Sequence, residues 1–339
     1  MKDRNLDVIE FGNPDPKFAR EIQDNFDLTV KHNFKKHAGR ANGYYRLRFD
    51  NTLDNDLRAL HAMYKSDSPF KILGIHTNIL ITERGYNGLF VDIDPKNAMI
   101  EFDKAAESFM VSANATVTRL INHAMGMGYN FSSLTGIPGM VGAGVVGNSS
   151  YSGGRPMGGY VQKIVAYDFE DGGIVEFQPD ENFFSIRDSF IKRGNSGKTR
   201  YFVKSVVLKA EHIGEAAVKE LFDAQMNERR EALRISFREG NAGAFFMNPY
   251  LRAAIGKSMT QLVRADPALQ VNFGGAGYSP NGNRLFTTQT DTTDADCAKF
   301  FAYVVDYVRR AYGVELHKEV LILDHDGEID LATFIQRNS

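Results

Sequence analysis

Cysteine and tryptophan are almost missing from this sequence, which has Cys297 as its single cysteine and no tryptophan. One cysteine excludes a disulfide bridge within the chain and a thiolate metal cluster, and it favours a reducing compartment. The eight histidines show neither an HExxH pattern nor Cys/His spacing, and the Asp-rich tail lacks the order of an EF-hand loop. The sequence therefore predicts no metal site.

Long apolar runs and an excess of charge of one sign are missing too. No stretch reaches about 18 uninterrupted apolar residues, so no transmembrane helix is predicted. The charged first twenty residues do not resemble a signal peptide. The 40 basic and 42 acidic residues leave a formal charge of -2, which gives no general attraction for nucleic acid or an anionic membrane. We therefore expect a cytoplasmic protein without a nucleic-acid or membrane partner.

The apolar content is sufficient for a folded protein of about two domains, since 43% of the 339 residues are hydrophobic and 24% are charged. Residues 1–34 are polar and are interpreted as an extension. Beyond them, helical and strand patterns alternate irregularly, which predicts an α+β fold. Predicted helices cover 53–64, 117–127, 214–238 and 295–312. Predicted strands cover 70–73, 79–82, 88–93, 98–102, 109–112, 160–169, 173–177, 201–209 and 319–323.

A glycine-rich stretch lies between residues 136 and 147. Its part 142–147 fits GxGxxG, but Pro138 precedes it closely and poor helix formers follow, which disfavours a dinucleotide-binding turn. The small residues would instead let the backbone approach a ligand and leave N–H groups for phosphate oxygens. The alternative is a glycine turn that binds nothing.

A second segment, Gly74-Ile75-His76-Thr77-Asn78, follows a predicted strand and could supply hydroxyl, amide and backbone donors to the same ligand. Two such segments together favour a cofactor with a diphosphate. Two Gly-Lys-Ser/Thr sequences, at 256–258 and 197–199, lack the leading glycine of a phosphate-binding loop and are set aside.

Four motifs make a specific resemblance. Residues 136–142, with Asn148 and Tyr151 behind them, resemble the flavin-binding segment of the UDP-N-acetylenolpyruvoylglucosamine reductase family. Three further motifs follow in the family's order: Ile186-Arg187-Asp188-Ser189 is similar to Tyr-Arg-x-Ser, Gly243-Ala244-Phe245-Phe246-Met247-Asn248-Pro249 to Gly-Ser-Phe-Phe-Lys-Asn-Pro, and Leu316-His317-Lys318-Glu319-Val320 to Leu-Glu-x-Glu-Val. The match extends from about residue 32 to residue 330.

This resemblance implies a fold and a reaction. The fold would be α+β, with a two-subdomain FAD-binding region of the PCMH, or vanillyl-alcohol-oxidase-like, type over residues 35–212, divided near residue 95. A substrate-binding domain would cover 213–339. FAD would be bound non-covalently and reduced by NADPH. The reduced flavin would then deliver a hydride to the enolpyruvyl double bond of a UDP-sugar in peptidoglycan biosynthesis.

The resemblance also implies site residues. Arg187 would stabilise the charge that develops on the substrate's carboxylate-stabilised enol, with Glu319 as its partner. Asn248 and Ser279 would contact the substrate. The cofactor-binding residues would be Gly74, Ile75, His76, Thr77, Asn78, Gly136, Ile137, Pro138, Gly139, Val141, Gly142, Ala143 and Asn148.

The sequence departs from the family at the position that protonates the substrate. Ala244 replaces the serine that donates the proton, and a methyl group has no proton to donate. A positioned acid contributes typically about 10²–10⁴ in rate, so the reduction should be impaired unless water, Tyr278 or Ser279 substitutes. Met247 also stands in place of a lysine.

Other departures are weaker. Ile186 replaces a tyrosine, and His76 and Thr77 replace a glycine and a serine in a flavin loop. Three hypotheses follow: the family's reductase with a substituted acid, a divergent flavoenzyme that acts on another small substrate, and a catalytically silent protein that binds FAD or a nucleotide sugar. Ala244 favours the second and third, whereas Arg187 and Glu319 favour chemistry over none.

Overall fold

The structure, a computed structural model, describes residues 16–31, 38–151, 154–233, 240–278, 284–287 and 291–339. Its helices are α1 (Pro16–Glu21), α2 (Leu53–Lys65), α3 (Val117–Met125), α4 (Val141–Val146), α5 (Phe190–Gly194), α6 (Glu215–Leu233), α7 (Asn248–Ile255), α8 (Met259–Ala265), α9 (Asp294–Tyr312) and α10 (Leu331–Asn338).

The strands lie between these helices in short runs. They are β1 (Gln23–Asp27), β2 (Arg40–Leu47), β3 (Phe70–Leu73), β4 (Ile79–Ile81), β5 (Tyr86–Ile93), β6 (Ile100–Asp103), β7 (Ser108–Ser112), β8 (Val161–Asp168), β9 (Gly173–Phe177), β10 (Phe184–Ser185), β11 (Asp188–Ser189), β12 (Tyr201–Leu208), β13 (Gly240–Ala244), β14 (Asn272–Phe273), β15 (Ala276–Tyr278), β16 (Arg284–Thr287), β17 (Leu321–Asp324) and β18 (Gly327–Ile329). Each predicted helix and strand is confirmed, with most ends displaced by one or two residues. The end of the predicted helix 214–238 lies partly outside the described residues.

The described chain forms two compact units. The first consists of residues 16–25 with Asn42–Ile75 and Gly88–Arg229. The second consists of the described parts of Phe26–Ala41, His76–Asn87 and Arg230–Ser339.

The core of the first unit is built around a five-stranded antiparallel sheet in the order β6-β7-β12-β8-β9. Helix α3 begins at Thr116, whose side chain accepts a hydrogen bond from the Arg119 N–H, as an N-cap residue does. Its buried residues Val117, Leu120, Ile121 and Ala124 form one helical stripe in this core.

The first unit also has a second hydrophobic cluster, under helix α2. This cluster includes residues of β2, β3 and β5, which belong to a four-stranded sheet in the order β1-β2-β5-β3. Leu57, Leu60 and Met63 of α2 are fully buried there because their spacing places them on one helical face. Strand β3 is thereby fixed directly before the predicted ligand-binding segment at Gly74.

The second unit contains two sheets and a long helix with one buried face. Its four-stranded sheet has the order β13-β16-β15-β14, and its three-stranded sheet has the order β18-β17-β4, in which β17 and β4 are parallel. Helix α9 begins with the capping box of Thr293 and Asp296, and Gly313 with φ 67° caps its C-terminal end. The fully buried residues of α9 are Cys297, Ala298, Phe300, Phe301, Val304 and Val308.

No helix in the described part of the chain combines the length and the apolar character needed to cross a membrane. Within the same residues, no group of three or more His, Cys, Asp or Glu side chains is placed to hold a metal ion.

Candidate functional site

The two predicted glycine segments come together in the first unit. A Cβ atom added to Gly74, directly after β3, would lie 3.5 Å from the Cβ of Ala143 and 4.0 Å from the Sδ of Met140. These are ordinary van der Waals distances, so Gly74 packs directly against the start of α4. The sequence separates these segments by more than sixty residues, and the fold makes them one surface.

Hydrogen bonds fix the backbone of residues 139–142 to the residues around the start of α3. The Val117 N–H donates to the Gly139 carbonyl at 3.1 Å, and the Val141 N–H donates to the Ala115 carbonyl at 2.8 Å. Gly139 has φ 133°, which L residues rarely adopt, and none of the described atoms lies within 4 Å of a Cβ placed there. Gly139 therefore offers open space beside a rigid backbone.

The structure corrects one prediction about this stretch. Residues 142–147 are not an open turn, since α4 includes Val141–Val146. The N–H groups of Gly144 and Gly147 donate to the carbonyls of Met140 and Ala143, so they are not left for a phosphate. The reason is packing: a Cβ at Gly142 would lie 2.6 Å from the Cβ of Ala113, so only glycine lets this short helix approach the sheet so closely.

Sequence reasoning missed Arg229, which lies at the glycine segment. Its side chain is 4% exposed, its guanidinium donates to the Gly136 carbonyl, and its Cζ lies 3.5 Å from the centre of the Tyr151 ring. A carbonyl and an aromatic face together compensate a buried guanidinium. No local pattern indicates this role, because Arg229 belongs to the polar, charge-rich helix α6, where arginine is usually solvated.

Arg187 lies at the tip of a hairpin in the first unit. Strands β10 and β11 pair Ser185 with Asp188, so Ile186 and Arg187 are the two turn residues. Arg187 has φ 57°, a conformation that such turns usually give to Gly or Asn, and the exposed side chain of Ile186 precedes it. The turn therefore holds one residue, Arg187, in a backbone conformation that its side chain does not favour.

Asn148, the last predicted cofactor residue, follows α4. Its φ is 42°, and its side-chain amide bonds to protein backbone: Nδ2 donates to the Ser185 carbonyl at 2.7 Å and Oδ1 accepts from the Gly158 N–H at 2.9 Å. The remaining predicted residues of the segment differ in exposure, with Ile137 and Val141 buried and Pro138 exposed.

The second unit brings together another set of predicted residues. A Cβ at Gly243 would lie 3.4 Å from the carbonyl oxygen of Thr77 and 3.7 Å from Oδ1 of Asn78. The Asn78 carbonyl accepts from the Leu321 N–H at 3.2 Å, and the Phe245 carbonyl accepts from the Glu319 N–H at 2.6 Å. Thr77, Asn78, Ala244 and Glu319 are therefore neighbours along three adjacent backbone segments.

His76 has φ 53°, so it is another non-glycine residue in the left-handed region at a predicted site position. Asn248 begins α7, and its Oδ1 accepts from the Met259 N–H at 2.8 Å, which joins the starts of α7 and α8. Ser279, the other predicted substrate residue, lies outside the described residues.

Tyr278 is not placed to act as an acid. Its ring packs against Phe300 at 5.0 Å between centroids, and its hydroxyl is buried with no hydrogen-bond partner among the described residues. Burial raises the pKa of this hydroxyl well above its usual range. This burial disfavours Tyr278 as a replacement for the missing serine, since the residue belongs to the hydrophobic core of the second unit.

Comparison with known proteins agrees with the motifs. Residues 236–323 match the family model described as UDP-N-acetylenolpyruvoylglucosamine reductase, C-terminal domain. The protein of that name from Wolbachia pipientis wMel is 27% identical over 275 residues, which cover 79% of this chain and 86% of the relative. The one from Thermotoga petrophila is 26% identical over 277 residues, which cover 80% of this chain and 90% of the relative.

A solved structure extends the likeness to the fold. The crystal structure of UDP-N-acetylenolpyruvylglucosamine reductase from Thermus caldophilus superimposes with a TM-score of 0.64 at 19% identity, and the match covers 89% of this chain and 98% of that one. The predicted α+β fold class is thereby confirmed. The chain is a relative of the UDP-N-acetylenolpyruvoylglucosamine reductases, and the resemblance that its motifs indicate is confirmed.

Proposed function

We propose that this protein is an FAD-dependent oxidoreductase that uses NADPH to reduce an enolpyruvyl UDP-sugar, or a closely related substrate, in the cytoplasm and without a nucleic-acid partner. The observation that carries the proposal is the contact of Gly74 with Ala143 and Met140, which unites the two glycine segments. The names of the relatives support the same reaction.

The residues of the first unit fit a flavin dinucleotide. Gly74 and Gly139 have no side chain to obstruct a ligand, and the backbone around Gly139 is fixed before any ligand binds, so little conformational freedom is lost on binding. Gly74, Ile75 and residues 136–139 would hold the cofactor. When bound, FAD supplies a carrier that takes a hydride from NADPH and passes it to the substrate.

Arg187 and Glu319 have separate roles in the proposal. The guanidinium of Arg187 presents a planar pair of N–H donors that suits the carboxylate of an enolpyruvyl group, and the hairpin turn fixes the backbone from which it extends. Glu319 is fixed through its backbone N–H to Phe245, next to Ala244. We assign to Glu319 the role of orienting the substrate carbon that receives the proton.

The family's reaction needs a proton donor, and this chain lacks the residue that supplies it in the family. Reduction of a carbon–carbon double bond adds one hydride and one proton, and Ala244 cannot supply the latter. Because the hydroxyl of Tyr278 is in the core, water and Ser279 remain as sources. Ala244 thus favours a second candidate function, in which the same flavin scaffold acts on another small substrate that needs no positioned acid.

The test is to purify the protein, record its visible absorption spectrum, and follow anaerobic reduction by NADPH and reoxidation by the enolpyruvyl UDP-sugar. We expect a yellow protein that NADPH bleaches and the sugar reoxidises. Bleaching without reoxidation would select the second candidate. A colourless protein that takes up no added FAD would refute the proposal.

A further inference from the structure

The hairpin that presents Arg187 is tied at both ends to the segment that closes α4. At one end, the Ser189 hydroxyl donates to the Val146 carbonyl at 2.7 Å. At the other, the Asn148 side chain donates to the Ser185 carbonyl at 2.7 Å. Ser185 and Ser189 flank the turn, so the turn is held between two bonds from one short segment.

Each tying residue is itself held from a second direction. The hydroxyl of Ser189 is fully buried and also accepts from the Lys192 N–H at 3.1 Å, as the N-cap of α5. The Asn148 amide oxygen accepts from the Gly158 N–H at 2.9 Å. A buried group with two such bonds is costly to move, because breaking them leaves polar atoms unsatisfied.

The turn needs this support because its sequence does not favour its shape. A non-glycine residue in the left-handed region costs roughly 1–2 kcal/mol, and such residues persist where the surroundings over-determine them. Arg187 is such a residue. Its carbonyl accepts a hydrogen bond from Lys192 Nζ at 2.8 Å, which gives the turn a further support.

We propose that Ser189 and Asn148 are positioning residues that fix the Arg187 turn to the end of the glycine helix α4. The cofactor segment and the Arg187 turn then form one rigid part of the first unit. A ligand that stabilises α4 should therefore also make opening of the turn less favourable. The catalytic significance of this arrangement rests on the proposed function, whereas the mechanical link itself does not.

The mechanical link is tested by amide hydrogen exchange on the protein without added FAD. Ser189→Ala removes the hydrogen bond to the Val146 carbonyl. Asn148→Asp keeps the hydrogen bond from the Gly158 N–H, but it replaces the group that donates to the Ser185 carbonyl with an acceptor. Either change should accelerate exchange of residues 184–192 roughly tenfold, the size of one lost hydrogen bond.

Thr293→Ala is the matched control, because it removes the N-cap hydroxyl of α9 in the other unit and should leave exchange of residues 184–192 unchanged. Unchanged exchange of these residues in both Ser189→Ala and Asn148→Asp would overturn the link. Equal acceleration in Thr293→Ala would also overturn it, since the effect would then be general loss of stability.

The catalytic consequence is tested by a double-mutant cycle between Ser189→Ala and Arg187→Ala. Ser189→Ala should slow reoxidation by the acceptor by roughly 10–100-fold, the cost of a misplaced group, with FAD affinity changed less than about twofold. In the Arg187→Ala background the same substitution should cost nothing further. Independent, multiplying losses would show that Ser189 does not act through Arg187.

Failure of the proposed function is distinguishable from failure of the link. If the protein takes up no FAD, the reductase is refuted, yet the exchange experiment still decides whether the turn is tied to α4. If FAD binds and exchange is unaffected by the substitutions, the link fails while the reductase stands.

Discussion

In the first unit, the glycine segments at residue 74 and at 136–142 keep the small residues that the family resemblance requires. The second unit instead has Ala244 and Met247 where the resemblance has a serine and a lysine. The glycines proposed to contact the cofactor are retained, whereas the side chains that the resemblance assigns to protonating and binding a substrate have changed. Under the proposed function, the difference teaches that the residues assigned to the acceptor have changed more than the small residues assigned to the cofactor.

The largest expected effect is at Arg187, where the proposed catalytic role and the backbone preference of the turn oppose each other. Arg187→Gly should lower acceptor reduction by roughly 10²–10³, as loss of one charge-stabilising group does. It should also raise the free energy of unfolding by about 1 kcal/mol, because glycine suits φ 57°. Stopped-flow reoxidation and urea unfolding measure the two effects.

Arg187→Ala is the control for that pair of measurements. It should lose the same activity without the gain in stability, since alanine keeps the cost of the left-handed backbone. A glycine variant that keeps full activity would remove Arg187 from the reaction.

Ala244→Ser tests whether the second unit has lost its acid. If the family's mechanism is otherwise in place, restoring the hydroxyl should raise turnover with the enolpyruvyl sugar by about 10². Steady-state kinetics measure it, and the flavin spectrum should stay the same. An unchanged rate with normal FAD content would speak for a different acceptor.

Gly142→Ala tests the close packing under the cofactor segment. The added methyl group would lie 2.6 Å from the Ala113 Cβ, so it should destabilise the first unit by about 1–3 kcal/mol and weaken FAD binding. Gly173→Ala is the matched control, because no described atom lies within 4 Å of its Cβ position. Thermal unfolding with and without FAD measures both, and equal effects would contradict the packing argument.

The smallest expected effect is at Tyr278. Tyr278→Phe should leave turnover within about twofold and stability nearly unchanged, because a buried hydroxyl without a partner contributes little. A loss of activity beyond tenfold in acceptor reduction, with the protein still folded, would return Tyr278 to the list of proton donors.

Local patterns in the sequence identified the long elements well. Helix α3 follows from one apolar stripe and α9 from its capping box and terminal glycine, and both are where the patterns put them. Helix α4 was missed because glycine is a poor helix former, and its stability comes from tertiary contact with Ala113. The parallel pairing of β4 with β17 also has no local signal, since the partners are some 240 residues apart.

The candidate site shows the same division. Motifs indicated Gly74, Arg187 and Glu319, but only the fold shows that Gly74 touches α4 and that Arg229 supports Gly136. Sequence alone also left Tyr278 open as an acid, because a hydroxyl's burial depends on what the rest of the chain packs around it.

The parallel partnership of β4 has a consequence for biosynthesis. Ile79, Leu80 and Ile81 emerge from the ribosome long before Leu321–Asp324, and at roughly 5–20 residues per second the delay is on the order of 10–50 s. During that interval the apolar residues of β4 lack their partner strand, so nascent chains should be most prone to capture by chaperones until β17 has been translated.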